Sequence, residues 1–363
     1  MKELSKEKLF KRQTTLAEVG EKGQQKLLNA SVVIIGCGGL GTVAATYLGG
    51  SGIGSIHLVD FDVVDASNLH RQVFYKIEDV GKSKVEVLAS YVNNIAPFTK
   101  ISYTNHPVNK QNIFEVIDKG DIILDCTDSL PIKYLINDAC VLKEKPLVYG
   151  SLYKFDGYVA TFNVKNGDEF STNLRDAFPE ISQQAIPNCS EIGTLNTIVG
   201  IIGLMQANEV LKLVTGIGKL LQNELLIYNS LENSQYKMKL KSQDSCHSER
   251  MRRISTIFES ENYIDASCEV QDKNLLITDE ELKKSNHYEI ISIIEDVDAP
   301  LPFKATVKIP FSKFDINAIE LNETHQYVVV CNRGITSYTA VQQLKEKYPN
   351  VTILSLEKGI INY

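Results

Sequence analysis

The chain has 363 residues, 43% of them hydrophobic and 23% charged, and a formal net charge of −7. That length predicts two domains rather than one core, and the acidic balance argues against nucleic acid as a main partner, because phosphate binding wants a basic face. The N-terminal stretch MKELSKEKLFKRQ lacks an apolar region, so no signal peptide is expected; seven scattered cysteines then read as reduced thiols of a cytoplasmic protein.

In chain order, residues 5–28 read as a charged helical arm. It carries Arg12, which taken alone reads as a solvated side chain. Val32–Ile35 is a β-branched run that reads as a buried strand. Gly36, Gly38 and Gly41 follow it as G-x-G-x-x-G, with Gly39 between them, and Thr42–Leu48 favours a helix. A second apolar run, Ile56–Val59, ends on Asp60. Strand, glycine turn, helix, strand, acid is a phosphate-binding fingerprint of dinucleotide type. Its glycines let backbone approach a phosphate, the helix N-terminus offers free N–H groups, and Asp60 can accept from ribose hydroxyls. The loop alone does not choose the nucleotide.

Residues 60–72 are polar and turn-like at a strand's carboxyl end, where open α/β sheets bind ligands. Asn68 and Arg71 there can hold a triphosphate. Lys84 opens a helix whose Val85, Leu88, Val92 and Ile95 share a face, and Pro97 ends it. A cation in a first turn is unfavourable for the macrodipole, and a bound anion would repair that. Ile101–Tyr103 reads as a short strand, Ile113–Ile117 as helix, and 121–128 as a strand ending in the acids of Asp125-Cys-Thr-Asp128. Helix from Lys133 to Leu142 and strand from Pro146 to Gly150 complete an alternation that predicts a Rossmann-like, doubly wound, mainly parallel sheet. Gly157–Phe162 begins an antiparallel extension, which Leu225–Asn229 and Tyr236–Leu240 close. Between them lie an irregular stretch, 164–193, containing Cys189, and an apolar helix from Thr194 to Leu213. The apolar run in that helix, Ile198–Met205, is broken by Gln206, Asn208, Glu209 and Lys212, which reads as a buried helix and not a membrane span. Ser242–Arg253 is a charged linker candidate. The expected layout is a first domain over 1–242, a linker over 243–269 and a small α/β domain over 270–363, in which strand Tyr327–Val330 delivers Cys331 to a loop and a helix that ends near Lys347.

GCGGLG at 36–41, DFDVVDASNLHRQ at 60–72, GKSK at 81–84, DCTDS at 125–129 and NCSEIGTLNTIVGIIGLMQANEVLKL at 188–213, with the arm KRQTTLAEVGEKGQQKLLNA, resemble the MoeB/ThiF family of adenylating enzymes. The resemblance covers roughly residues 8 to 240. It implies ATP as the nucleotide and adenylation of the C-terminal glycine carboxylate of a ubiquitin-like sulfur carrier protein. By motif position Asp60 would hold the ribose, Asn68, Arg71 and Lys84 the phosphates, and Asp128 Mg²⁺, with Asp62 and Gln72 beside them. Arg12 would reach the phosphates as an arginine finger across a homodimer interface. Cys189 aligns with the cysteine that some members use for a thioester or an acyl disulfide. Relatives usually carry two C-x-x-C pairs for structural zinc. Here Asn173 and Asp176 stand at the first, and Cys246 with His247 near the second, so no zinc is expected.

Residues 270–363 resemble a rhodanese-like domain through Cys331-Asn-Arg-Gly334-Ile-Thr-Ser337. Such a loop and helix would stabilise a thiolate or persulfide on Cys331. A Cys-based phosphatase needs Arg six residues after the Cys, where this chain has Ser337. The front half of the domain is worn: Ile291–Glu295 and Phe303–Thr306 stand where relatives carry Asp-Val-Arg-like and His-Ile-x-Gly-Ala-like turns. The sulfur would come from a persulfide donor such as a cysteine desulfurase. Three rivals remain at this level: an NAD-dependent oxidoreductase, a relative adenylating a peptide or tRNA-bound carboxylate, and a binding module in which Cys331 is inert. The first leaves Arg12, Arg71, Lys84 and Asp128 idle.

Overall fold

The computed structural model describes residues 5–179, 193–261, 263, 273–285, 287–294, 296–297, 300–316, 319–331, 334–357 and 359–360. It divides into two compact units, the first running to Tyr263 and the second beginning at Ile264.

In chain order the first unit comprises α1 (Lys6–Thr14), α2 (Gly20–Asn29), β1 (Ser31–Ile35), α3 (Gly39–Gly50), β2 (Ser55–Val59), α4 (Lys84–Ile95), β3 (Lys100–Thr104), α5 (Ile113–Ile117), β4 (Ile122–Asp125), α6 (Leu130–Leu142), β5 (Leu147–Tyr153) and β6 (Asp156–Phe162). It continues with β7 (Lys165–Asn166), β8 (Glu169–Phe170), α7 (Leu174–Ala177), α8 (Asn196–Thr215), β9 (Glu224–Asn229), β10 (Ser234–Lys239) and α9 (His247–Ser260). Its eight-stranded sheet has the order β10-β9-β6-β5-β4-β1-β2-β3. Strands β1 to β5 are parallel, and β6, β9 and β10 add the expected antiparallel extension. The run Val32–Ile35 is buried on both faces, as a central parallel strand must be. Each such side chain stabilises the fold by about 1.5–3 kcal/mol.

The register sets the site. Ile35 lies opposite Val59 on one side and Asp125 on the other. The chain therefore leaves β1, β2 and β4 side by side. The strand order reverses between β1 and β4, the crevice where ligands of such sheets bind.

One expectation gains detail here and one is corrected. The arm 5–28 is two helices, interrupted at 15–19. The candidate linker is not extended chain over its described part: 247–260 is α9, which packs on α6 in the first unit. Arg250, Ile254 and Phe258, at helical spacing, form its buried face, hidden in sequence by the polar residues around them. Residues 262 and 264–269 of that linker lie outside the described residues. Helix α8 is long and apolar enough to cross a membrane by length and composition, but it packs against α3, β5 and β6, and it buries Gln206 and Glu209.

The second unit comprises β11 (Leu276–Ile277), α10 (Asp279–Lys284), β12 (Tyr288–Ser292), β13 (Val307–Lys308), β14 (Gln326–Val330), α11 (Ile335–Lys347) and β15 (Thr352–Leu356). Its five strands form a parallel sheet in the order β11-β15-β14-β12-β13. Val328 and Val330 face one core, Val329 and Cys331 another, the alternation of a central strand covered on both faces.

Candidate active site

The glycine loop is forced by close backbone. Gly36 has φ +95°, and a Cβ there would stand 2.7 Å from Cys126 O. A Cβ on Gly41 would overlap Gly36 O. The loop therefore seats on the turn that leaves β4, and α3 begins from it with Gly38 as an N-cap that offers no side chain. The first-turn N–H groups of α3 are left for a ligand.

The carboxylate of Asp60 holds this loop in place. Its Oδ2 accepts from Cys37 N at 2.6 Å and its Oδ1 from Asp62 N at 2.8 Å. Burial raises the Asp60 carboxyl above the ordinary range, against the pull of Lys84. The next segment folds back on 81–84: Val64 N donates to Lys82 O and Lys84 N to Asp62 O. That pairing sets Lys84 among carboxylates. Its ammonium, only 5% exposed, donates to Asp62 Oδ2 at 2.7 Å. Burial pushes the Lys84 ammonium down, but Asp60, Asp62 and Asp128 outweigh it and hold its pKa above the usual lysine value. Asp62 is thus the counterion of Lys84, a role that the sequence did not assign.

The short 3-10 turn Ala66–Asn68 and the residues after it cover the loop. Arg71 Nη1 donates to Ser67 O at 3.3 Å, and Arg71 O lies 3.3 Å from where a Cβ on Gly39 would be. Gln72 is buried, with Nε2 3.5 Å from the Cβ position of Gly38 and Oε1 without a hydrogen-bond partner. A buried acceptor left open beside a phosphate-type loop is suited to a ligand donor. Asn68 Nδ2 reaches Ser67 Oγ at 3.3 Å and is half-buried. Asp128 is exposed at the end of the β4 turn.

Lys84, Asp60, Asp62, Arg71 and Gln72 therefore surround the loop, with Asp128 close enough to act on Lys84. Arg12 is not among them within one chain. Its neighbour Gln13 donates to Ser51 O at 3.1 Å, and Phe10 lies against Gly52. Both mark the C-terminal end of α3, about 18 Å of helix from the glycine loop. Cys189 lies outside the described residues.

Sequence reasoning missed one pair. Lys133, in α6, donates to Asp125 Oδ2 at 3.1 Å and to Gly150 O at 2.7 Å, with both side chains buried. The eight-residue spacing from strand end to first helical turn was its only signal.

The positions expected for zinc ligands serve other bonds. Asn173 and Asp176 cap α7, and Asp176 Oδ1 accepts from Gln243 N at 2.9 Å. Arg253 pairs bidentately with Asp244 at 2.7 Å, and Arg250 Nη1 donates to Ser171 O. These bonds tie 171–176 to 242–253. Cys246 is exposed, and His247 stacks on Phe170 and meets Glu144.

In the second unit Cys331 is 5% exposed at the end of β14. Its Sγ lies 3.1 Å from Gly334 N, 3.3 Å from Ser337 N and 3.2 Å from Ser337 Oγ. Ser337 Oγ is in turn 2.8 Å from Ser355 Oγ of β15. Gly334 has φ +82°, which lets the loop close onto the sulfur. Two N–H groups and a hydroxyl converging on one sulfur at a helix N-terminus suit an anionic sulfur.

The model of the ThiF family matches residues 10–248. Adenylyltransferase and sulfurtransferase MOCS3 of Drosophila sechellia is 33% identical over 374 residues, 97% of this chain and 81% of that one. The sulfur carrier protein adenylyltransferase of Thermus thermophilus is 38% identical over 239 residues, 65% of this chain and 88% of that one. Among solved structures, E. coli MccB with MccA-N7isoASN has a TM-score of 0.59 at 23% identity, over 67% of this chain and 74% of that one. MccB with ATP has a TM-score of 0.55 at 24% identity, over 62% and 68%. These structural likenesses speak for the fold. By the family match to about two thirds of its length, the chain belongs to the ThiF family, and the enzymes it matches are adenylyltransferases.

Proposed function

We propose that the first unit adenylates the C-terminal glycine carboxylate of a ubiquitin-like sulfur carrier with ATP, and that the second transfers sulfur to it. The observation that carries this is the buried ammonium of Lys84 held beside the glycine loop by Asp60 and Asp62. Charge developing around an α-phosphate needs a preorganised cation of this kind. The printed names of the relatives, adenylyltransferase, sulfurtransferase and sulfur carrier protein adenylyltransferase, support the same reading.

In this mechanism a carrier carboxylate oxygen attacks the α-phosphorus. The bond from that phosphorus to the α–β bridging oxygen breaks, and pyrophosphate leaves. The loop N–H groups and Gln72 orient the nucleotide, Asp60 accepts from the ribose, and Asn68, Arg71 and Lys84 take phosphate oxygens. Among the described residues, two cationic side chains, Arg71 and Lys84, stand at the loop with three carboxylates, which leaves these residues short of positive charge for a triphosphate. Asp128 offers an exposed hard oxygen, which fits Mg²⁺ held by a carboxylate and phosphates. When bound there, Mg²⁺ would neutralise phosphate charge. Arg12 of a second copy supplies the remaining charge, which is why we assign a homodimer.

Cys331 then carries a persulfide from a donor such as a cysteine desulfurase. Its terminal sulfur attacks the acyl carbon and AMP leaves, giving an acyl disulfide on Cys331. A second thiol attacks Cys331 Sγ. This releases the carrier thiocarboxylate and leaves a disulfide. The test is carrier-dependent ATP–pyrophosphate exchange with Lys84→Ala and Asp128→Ala. Each is expected to abolish exchange, and retained exchange in both would sink the assignment.

A further inference from the structure

We propose that Lys133 is a positioning residue of the adenylating site, acting through Asp125 on the turn that carries Asp128; this rests on the function proposed above. The two oxygens of Asp125 divide their work. Oδ2 takes the Lys133 ammonium at 3.1 Å, and Oδ1 takes Thr127 N at 3.0 Å and Thr127 Oγ1 at 2.8 Å. Lys133 also donates to Gly150 O at 2.7 Å and lies over the Tyr149 ring, so it is itself held by β5. Gln206 of α8 donates to Asp125 O at 2.7 Å and accepts from Cys126 Sγ at 3.6 Å. Both carboxylate oxygens are thus engaged, and Thr127 is bonded to one of them through its N–H and its hydroxyl. The fixed turn serves two parts of the site at once: Gly36 seats on Cys126 O, and Asp128 is the next residue after Thr127.

A buried ion pair gains little stability over an apolar pair of the same volume. Stability alone therefore does not account for Lys133. Its absence would leave Asp125 charged, buried and free to turn away from Thr127, beside a site that must accept a triphosphate.

The experiment uses the full chain with Lys133→Met and the double variant Asp125→Asn/Lys133→Met. The amide oxygen that Asp125→Asn introduces would still accept from Thr127, with no charge left unpaired. Hydrogen exchange at the Thr127 amide is measured without ligand, and the Mg²⁺ concentration for half-maximal ATP–pyrophosphate exchange is measured with carrier. Lys133→Met should speed exchange at Thr127 about tenfold, the worth of one hydrogen bond, and raise the Mg²⁺ requirement by a similar factor. The double variant should recover both. Wild-type values for Lys133→Met, or equal loss in the double variant, would overturn the proposal. If Lys133→Met does not fold, the double variant decides alone: near-wild-type values support it, and loss of Thr127 protection overturns it. Failure of the wild type to exchange pyrophosphate would instead sink the function, with the Thr127 result still readable.

Discussion

Replacing Lys84 by Met keeps the length of the side chain and removes its charge. In the free protein this leaves Asp60, Asp62 and Asp128 without the ammonium they share. With ATP bound, it removes one of two cations from the loop's surroundings. Two unit charges about 4 Å apart attract by about 4 kcal/mol at an effective dielectric of about 20. A loss of that size is about a thousandfold in kcat/KM, since 1.36 kcal/mol is tenfold. The assay is carrier-dependent ATP–pyrophosphate exchange at saturating carrier and varied ATP. Partial recovery is expected for Lys84→Met combined with Asp62→Asn, which restores the charge balance but no phosphate contact. Exchange by Lys84→Met within tenfold of wild type, in folded protein, would refute the reasoning.

Arg12→Ala should lose exchange to a similar degree. Mixing it with Lys84→Ala should restore part of the activity, because one site of each mixed dimer then has both groups; no recovery on mixing contradicts an Arg12 acting across subunits. His57, buried between Ser102 Oγ at 2.8 Å and Thr104 Oγ1 at 2.9 Å, has its pKa lowered to about 4 by burial, with Lys119 adding to it. The neutral ring is the folded form, so there is no penalty above the unfolded value near 6.5, and stability falls as pH drops from there to about 4. The loss is at most about 3 kcal/mol; urea midpoints of wild type and His57→Gln across that window should converge as pH falls. Ser337→Ala removes the hydroxyl that lies 3.2 Å from Cys331 Sγ and should slow sulfur transfer through Cys331 about tenfold; an unchanged rate means the hydroxyl does not support the sulfur. Arg253→Ala breaks the bidentate bond to Asp244 and should cost about 1–3 kcal/mol, read by thermal unfolding, whereas a zinc chelator should leave the wild type unchanged.

The glycine loop was legible because its chemistry is local. Strand, close glycines and helix lie within one contiguous run, and Asp60 follows at the next strand end. Lys84 was legible for a different reason: a cation in a helix first turn breaks a rule, and the three carboxylates around it are what offsets the cost. The partner of Asp125 was not legible, because its bond to Lys133 depends on β5 and on where α6 starts. Ser129 caps that helix ahead of Pro131, so it begins three residues before the expected Lys133 and turns that side chain inward. Helix α9 was missed because only three of its residues are buried, and composition over a window hides a period carried by Arg250, Ile254 and Phe258. The distance of Arg12 from its own loop follows from α1 resting on the far end of α3, a tertiary fact with no local signature.

The most direct test of the central claim is to incubate the wild-type chain with ATP labelled at the α-phosphate, Mg²⁺ and each ubiquitin-like carrier of the source cell, then isolate the carrier under acid. The account predicts label on the carrier C-terminus, dependent on its terminal glycine carboxylate and absent with Lys84→Met. Pyrophosphate release with no labelled carrier, or labelling that survives the loss of Lys84, would contradict it.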